Sequence, residues 1–93
     1  MFLFSVTATA KKDVEGVNAG QQAEFIVYID YKDQQGAIQL CKFYLANAGF
    51  GQVIIDKMKE AHGDFIKNSV SSAHRSNIEA AQSDGYFVQL FEQ

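Results

Sequence analysis

The chain opens with a period of two: Phe2, Phe4, Val6 and Ala8 alternate with Leu3, Ser5, Thr7 and Thr9. That spacing predicts a strand with one strongly apolar face. A dozen residues of weak periodicity follow, KKDVEGVNAGQQ from Lys11 to Gln22, with two glycines. They predict an exposed connection, long for a hairpin tip. Next, Phe25, Val27, Ile29 and Tyr31 share one face of a second strand, with Ile26, Tyr28 and Asp30 on the other.

The period then changes to 3.6. Ala37, Leu40, Cys41, Tyr44, Leu45 and Ala48 form one stripe, with Asp33 placed to cap the helix and Gly49 to end it. Gln52 to Glu60 is β-branched early and charged late, which predicts a third strand fraying into polar surface.

Asp64 can cap a second helix starting at Phe65, with Ile66, Val70, Ala73, Asn77 and Ala80/Ala81 toward a sheet. Most of these side chains are small, so the helix is weakly anchored. Ser76-Asn77-Ile78-Glu79 also matches a capping box, which predicts a kink or restart near Ser71 to Ser76. Asp84-Gly85 closes the helix, and Tyr86 to Phe91 is the last strand.

The order β-β-α-β-α-β in 93 residues predicts one domain, residues 1–93, of the α+β class. The nearest architecture is a ferredoxin-like two-layer plait, a four-stranded mixed sheet with two helices on one face. Each helix would then be a right-handed crossover between parallel strands.

That layout leaves one sheet face open, and by the alternation it carries Leu3, Ile26, Tyr28, Phe87 and Phe91 among Ser5, Thr7 and Asp30. So large an apolar surface predicts a homodimer packed sheet against sheet. Other readings are a ligand cavity between two such sheets, or the 11–22 connection folding back as a cover. RNA stacking on Tyr28, Phe87 and Phe91 is disfavoured by a net charge of -3 and a single arginine.

Composition narrows the chemistry. Forty-seven per cent apolar and 20 per cent charged residues describe a globular chain. One cysteine, Cys41, excludes a disulfide framework and a cysteine metal cluster and points to a reducing, cytoplasmic setting. The apolar start is shorter than the ~7 to 15 residues of a secretory signal core, and no run reaches the ~20 residues of a membrane span.

The segment SSAHRSN, residues 71–77, gathers serines, His74 and Arg75, but neighbours on a helix point apart and do not converge on a nucleophile–base pair. It is expected to be a solvated helix face. His62 and His74 are too few for a zinc site, and the glycines form no phosphate-binding loop. The expectation is a non-enzymatic binding or interaction protein with no catalytic residue, no metal and no cofactor. The runner-up is a small dimeric enzyme or ligand-binding protein of the α/β-barrel type. The two are told apart by whether Tyr28, Asp30, His62 or His74 lines a closed pocket.

Overall fold

A computed structural model describes residues 1–14, 16–60 and 72–91 and, at 72–75, 90 and 91, the backbone only. The elements are β1 (Phe2–Ala10), β2 (Gln22–Ile29), α1 (Gln34–Asn47), β3 (Phe50–Glu60), α2 (Ser72–Asp84) and β4 (Tyr86–Phe91). Element order and type agree with the sequence pattern. Their assembly does not.

The strands form one sheet in the order β3-β1-β2-β4, and every neighbouring pair is antiparallel. The expected mixed sheet of a ferredoxin-like plait is therefore corrected. β2 and β3 do run the same way, each antiparallel to β1, but β1 lies between them. β3 and β4 occupy opposite edges and run in opposite directions, so α2 is not a crossover between parallel strands.

The second correction concerns the layers. Phe2, Phe4, Val6, Ala8 and Ala10 of β1 and Phe25, Val27 and Ile29 of β2 are buried with Ala37, Cys41 and Leu45 of α1. The intervening residues point the other way, and there Tyr28 is buried with Ile78 and Ala81 of α2, against Leu3, Ile26 and Phe87. The two helices therefore lie on opposite faces, giving three layers in place of two. The physical reason is the pattern of the strands themselves: the second face is too apolar to be left in water, and α2 offers the side chains that cover it.

Local chemistry sets the ends of α1. Asp33 caps it, its carboxylate accepting from the Gly36 N–H at 2.8 Å. Gly49 ends it with a φ of 98°, a conformation costly for a side chain with a Cβ. The 11–21 connection packs against this end. Val14 and Val17 exchange backbone hydrogen bonds at 2.8 and 2.7 Å and lean on the α1-side core. The connection is thus tied to the α1 side, not folded over the second face.

α2 runs unbroken from Ser72 to Asp84, so Ser76 sits within the helix and not at a cap. The helix start expected at Asp64 and Phe65, with Ile66 and Val70, falls outside the described residues. Among the described residues, no helix is long and apolar enough to cross a membrane.

Candidate interaction surface

The sheet face expected to be open is partly closed. Tyr28 is only 1% exposed, beneath Ile78 and Ala81, with Leu3, Ile26 and Phe87 packed around it. Its ring meets Phe87 edge to face, centroids 6.1 Å apart. The phenol is accommodated by Asn77, whose amide donates to Gln89 Oε1 at 2.9 Å and lies 3.4 Å from Tyr28 Oη. A buried hydroxyl without a partner would be costly, and the helix supplies a polar side chain at that point. Phe91 pairs with Glu24 through the backbone.

α2 packs on β2 and β4, and the β1–β3 half of the same face is polar. Thr7 donates to Asp56 Oδ2 at 2.8 Å and Thr9 lies 3.3 Å from Gln52 Oε1. A shallow hollow of about 210 Å³ lies between Ser5, Glu24, Ile26, Asp56 and Lys57. Beside Thr7 in the register stands Ile54, 54% exposed.

The histidine-containing segment yields no assembled catalytic group. Residues 72–77 are successive positions of α2, with Ser76 exposed and Asn77 turned to the sheet. The side chains of His74 and Arg75, and the whole of His62, lie outside the described residues. Among the described residues no three His, Cys, Asp or Glu side chains group as metal ligands. Cys41 is buried in the α1-side core, and its burial pushes the thiol up to about 12, against a small opposing pull from Lys42. It is a protonated packing group at neutral pH.

The surface that stands out lies on the other side of the molecule, where α1 meets β4. Tyr44 of α1 stacks on Tyr86 of β4 with ring centroids 3.7 Å apart and planes 10° from parallel. Phe43 adds an edge-to-face contact with Tyr44 at 5.7 Å and is itself 56% exposed. Leu40 and Val88 are half-buried behind these rings.

Tyr31 belongs to the same flank. The alternation puts it on one strand face with Phe25, Val27 and Ile29, but β2 ends at Ile29 and Tyr31 is 48% exposed. Its ring lies against Gly36, where a Cβ would collide with Tyr31 Cε2. Gly36 and Phe43 are seven residues apart on α1, two turns, and so lie nearly in line along one flank. A glycine inside a helix costs about 1 kcal/mol relative to alanine. Here it leaves room for the Tyr31 ring against the helix.

Beyond Tyr31 the flank opens into a cavity of about 700 Å³ at the end of the sheet. Its walls include Met1, Asp30, Lys32, Asp33 and Glu60. Asp30 thus lines an open cavity, whereas Tyr28 is buried under α2.

Sequence periodicity missed this surface because it sorts residues by helix stripe and strand face. Phe43 falls outside the α1 stripe and Tyr31 was absorbed into a strand. The available signal was Gly36, an unfavourable helix residue close behind an aromatic. No protein-family model matches the chain, and neither the curated proteins nor the solved structures provide a match in sequence or fold.

Proposed function

We propose that this chain is a non-enzymatic interaction protein whose contact surface is the aromatic flank formed by Tyr31, Phe43, Tyr44 and Tyr86. The observation that carries this reading is the exposure of Phe43, 56%, beside a stacked tyrosine pair. Exposed aromatics on a fixed scaffold supply large contact area at low entropic cost on binding, and such residues dominate binding energies. Phe43, Tyr44 and Tyr86 lie on regular elements, so their geometry exists before a partner arrives. A single, buried, unpaired cysteine supports the cytoplasm as its compartment.

The test is selection of random phage-displayed peptides on the wild-type protein and on a Phe43→Ala, Tyr86→Ala double variant. Enriched peptides that bind the wild type and lose at least tenfold in affinity for the double variant support the flank. Peptides that bind both alike place recognition elsewhere and end this reading. Circular dichroism of the variant guards against a folding defect.

A second reading, self-association as a homodimer, is favoured by Ile54, 54% exposed on the half-face that α2 leaves open. Light scattering across a dilution series checks it. A concentration-dependent dimer that Ile54→Lys returns to monomer supports the dimer, and a monomer at high concentration removes it.

A further inference from the structure

We infer that the outer edge of β4 pairs antiparallel with β4 of a second copy of this chain, joining the two sheets into one. Backbone groups carry this inference, so it goes beyond the aromatic flank and does not depend on it. It also uses a different surface from the half-face around Ile54.

A sheet has two edge strands, here β3 and β4, and a bare edge offers unpaired amides and carbonyls to any extended chain. β3 is blunted in two ways. Its register against β1 is broken twice, at Ser5/Val6 and at Thr7/Thr9, and its end carries Asp56, Lys57, Lys59 and Glu60. Neither protection is present in β4. It pairs with β2 in unbroken register, and no charged residue stands between Asp84 and Glu92. Its sequence, YFVQLF, is rich in strand formers. Among the described residues no strand lies against its outer edge.

The direction of its backbone groups follows from one hydrogen bond. The Asp30 N–H donates to the Gly85 carbonyl at 2.9 Å, which sets the phase of the β2–β4 ladder. Counting on by twos, Tyr28–Phe87, Ile26–Gln89 and Glu24–Phe91 are its hydrogen-bonded pairs. The amides and carbonyls of Tyr86, Val88 and Leu90 therefore point away from β2, toward the open edge.

Those groups suit a second copy. A two-fold axis through the sheet keeps every residue on its own face, so it must pass beside a single residue of β4. With the axis at Val88, Tyr86 pairs with Leu90 of the partner subunit and Val88 pairs with Val88 of the partner subunit, so every outward amide and carbonyl is matched. Any other centre leaves at least one of the outward residues without a partner inside the strand. The absence of charge favours the same occupant: an uncharged strand meets its own copy without repulsion and has no charge by which to select a foreign segment. Pairing β4 with β3 of another copy would instead use the blunted edge and build an open-ended chain. Side chains add contact on both faces of the seam, from Tyr86, 36% exposed, on the α1 side and from Phe87 on the α2 side.

The test is sedimentation of the full chain across a dilution series, together with hydrogen exchange read residue by residue. The expected result is a dimer in the micromolar range. In concentrated protein the amides of Tyr86, Val88 and Leu90 should exchange at least tenfold more slowly than in dilute protein, while those of Phe87 and Gln89, already bonded to β2, change less. Val88→Pro removes an N–H that points away from β2, so it should weaken the dimer tenfold or more and leave the β2–β4 ladder in place. The wild-type exchange pattern decides the matter even where that variant folds poorly. A monomer at high concentration overturns the inference, as does a dimer that Ile54→Lys dissociates while the outward amides of β4 exchange alike at every concentration. A monomer whose Tyr86, Val88 and Leu90 amides become protected only on adding a phage-selected peptide assigns the edge to a foreign strand and overturns the second copy. In each case, peptides that still depend on Phe43 and Tyr86 leave the flank standing.

Discussion

The two faces of one sheet are stabilised by different means. On the α1 side, Phe4, Val6 and Val27 meet Cys41 and Leu45 in a dry layer, extended by an edge-to-face contact of Phe25 with Phe50 at 4.8 Å. On the α2 side, Ile78 is the one large side chain that the helix buries among the described residues, with Ala81 beside it. Asn77 adds a polar contact to Tyr28 and Gln89. The first layer gains from apolar area. The second combines a small apolar area with a satisfied polar group, which costs less to separate and sets the helix position more narrowly.

The offset of the helices has a further consequence. α1 packs across β1, β2 and β3, while α2 packs on β2 and β4, so each face has an uncovered corner. Tyr86 lies in the corner beyond α1, and Ile54 in the corner beyond α2. Exposed apolar residues on this protein thus follow from where the helices stop.

The contrast can be broken by core truncations. Leu45→Ala in the α1 layer should cost about 3 to 5 kcal/mol, the upper part of the range for a buried leucine, because the dry surroundings cannot collapse into the space. Ile78→Ala in the α2 layer should cost nearer 2 kcal/mol, since water can reach a thin layer. Chemical-denaturation midpoints decide, and equal costs would mean that the two layers are equally tight. Hydrogen exchange sharpens the same point: amides of α2 should open before those of α1.

A smaller effect belongs to the polar contact. Tyr28→Phe keeps the ring and removes the hydroxyl, so it should change stability by about 1 kcal/mol or less. A loss as large as that of Ile78→Ala would make the hydroxyl, not apolar burial, the main anchor of α2.

The smallest effect at neutral pH is that of Cys41. Its folded pKa, about 12, lies above the ordinary 9.0, so the native state keeps the proton longer than the unfolded chain does. The associated stability is complete below pH 9 and is lost as pH rises from about 9 toward 12. Comparing the pH slope of wild type with that of Cys41→Ala isolates it from tyrosine and lysine titration. A native thiol that reacts with a disulfide reagent at pH 8 as fast as an unfolded one would contradict the burial.

Much of this was legible in the residues. The alternation of β1 and β2 assigned Phe4, Val27 and Ile29 to one face and Leu3, Ile26 and Tyr28 to the other, and the structure keeps that division. Asp33 and Gly49 bounded α1 as their chemistry requires. These features depend on neighbours a few positions away: a period of two or 3.6, a carboxylate within reach of an amide, a glycine where φ is positive.

The strand order and the side taken by each helix were decided at longer range. An apolar stripe is satisfied by either face of a sheet, so the composition of α2 could not say which it would cover. β1 can pair with any strand of matching register, and its place between β2 and β3 depends on backbone bonds between residues as distant as Phe2 and Glu60. The aromatic flank exists only after these choices, because Tyr31, Phe43 and Tyr86 come from a loop, a helix and a strand that share no sequence period. Local physical chemistry selects elements and their faces. Only closure of the whole chain, where apolar surfaces must find cover together, selects which surfaces remain open.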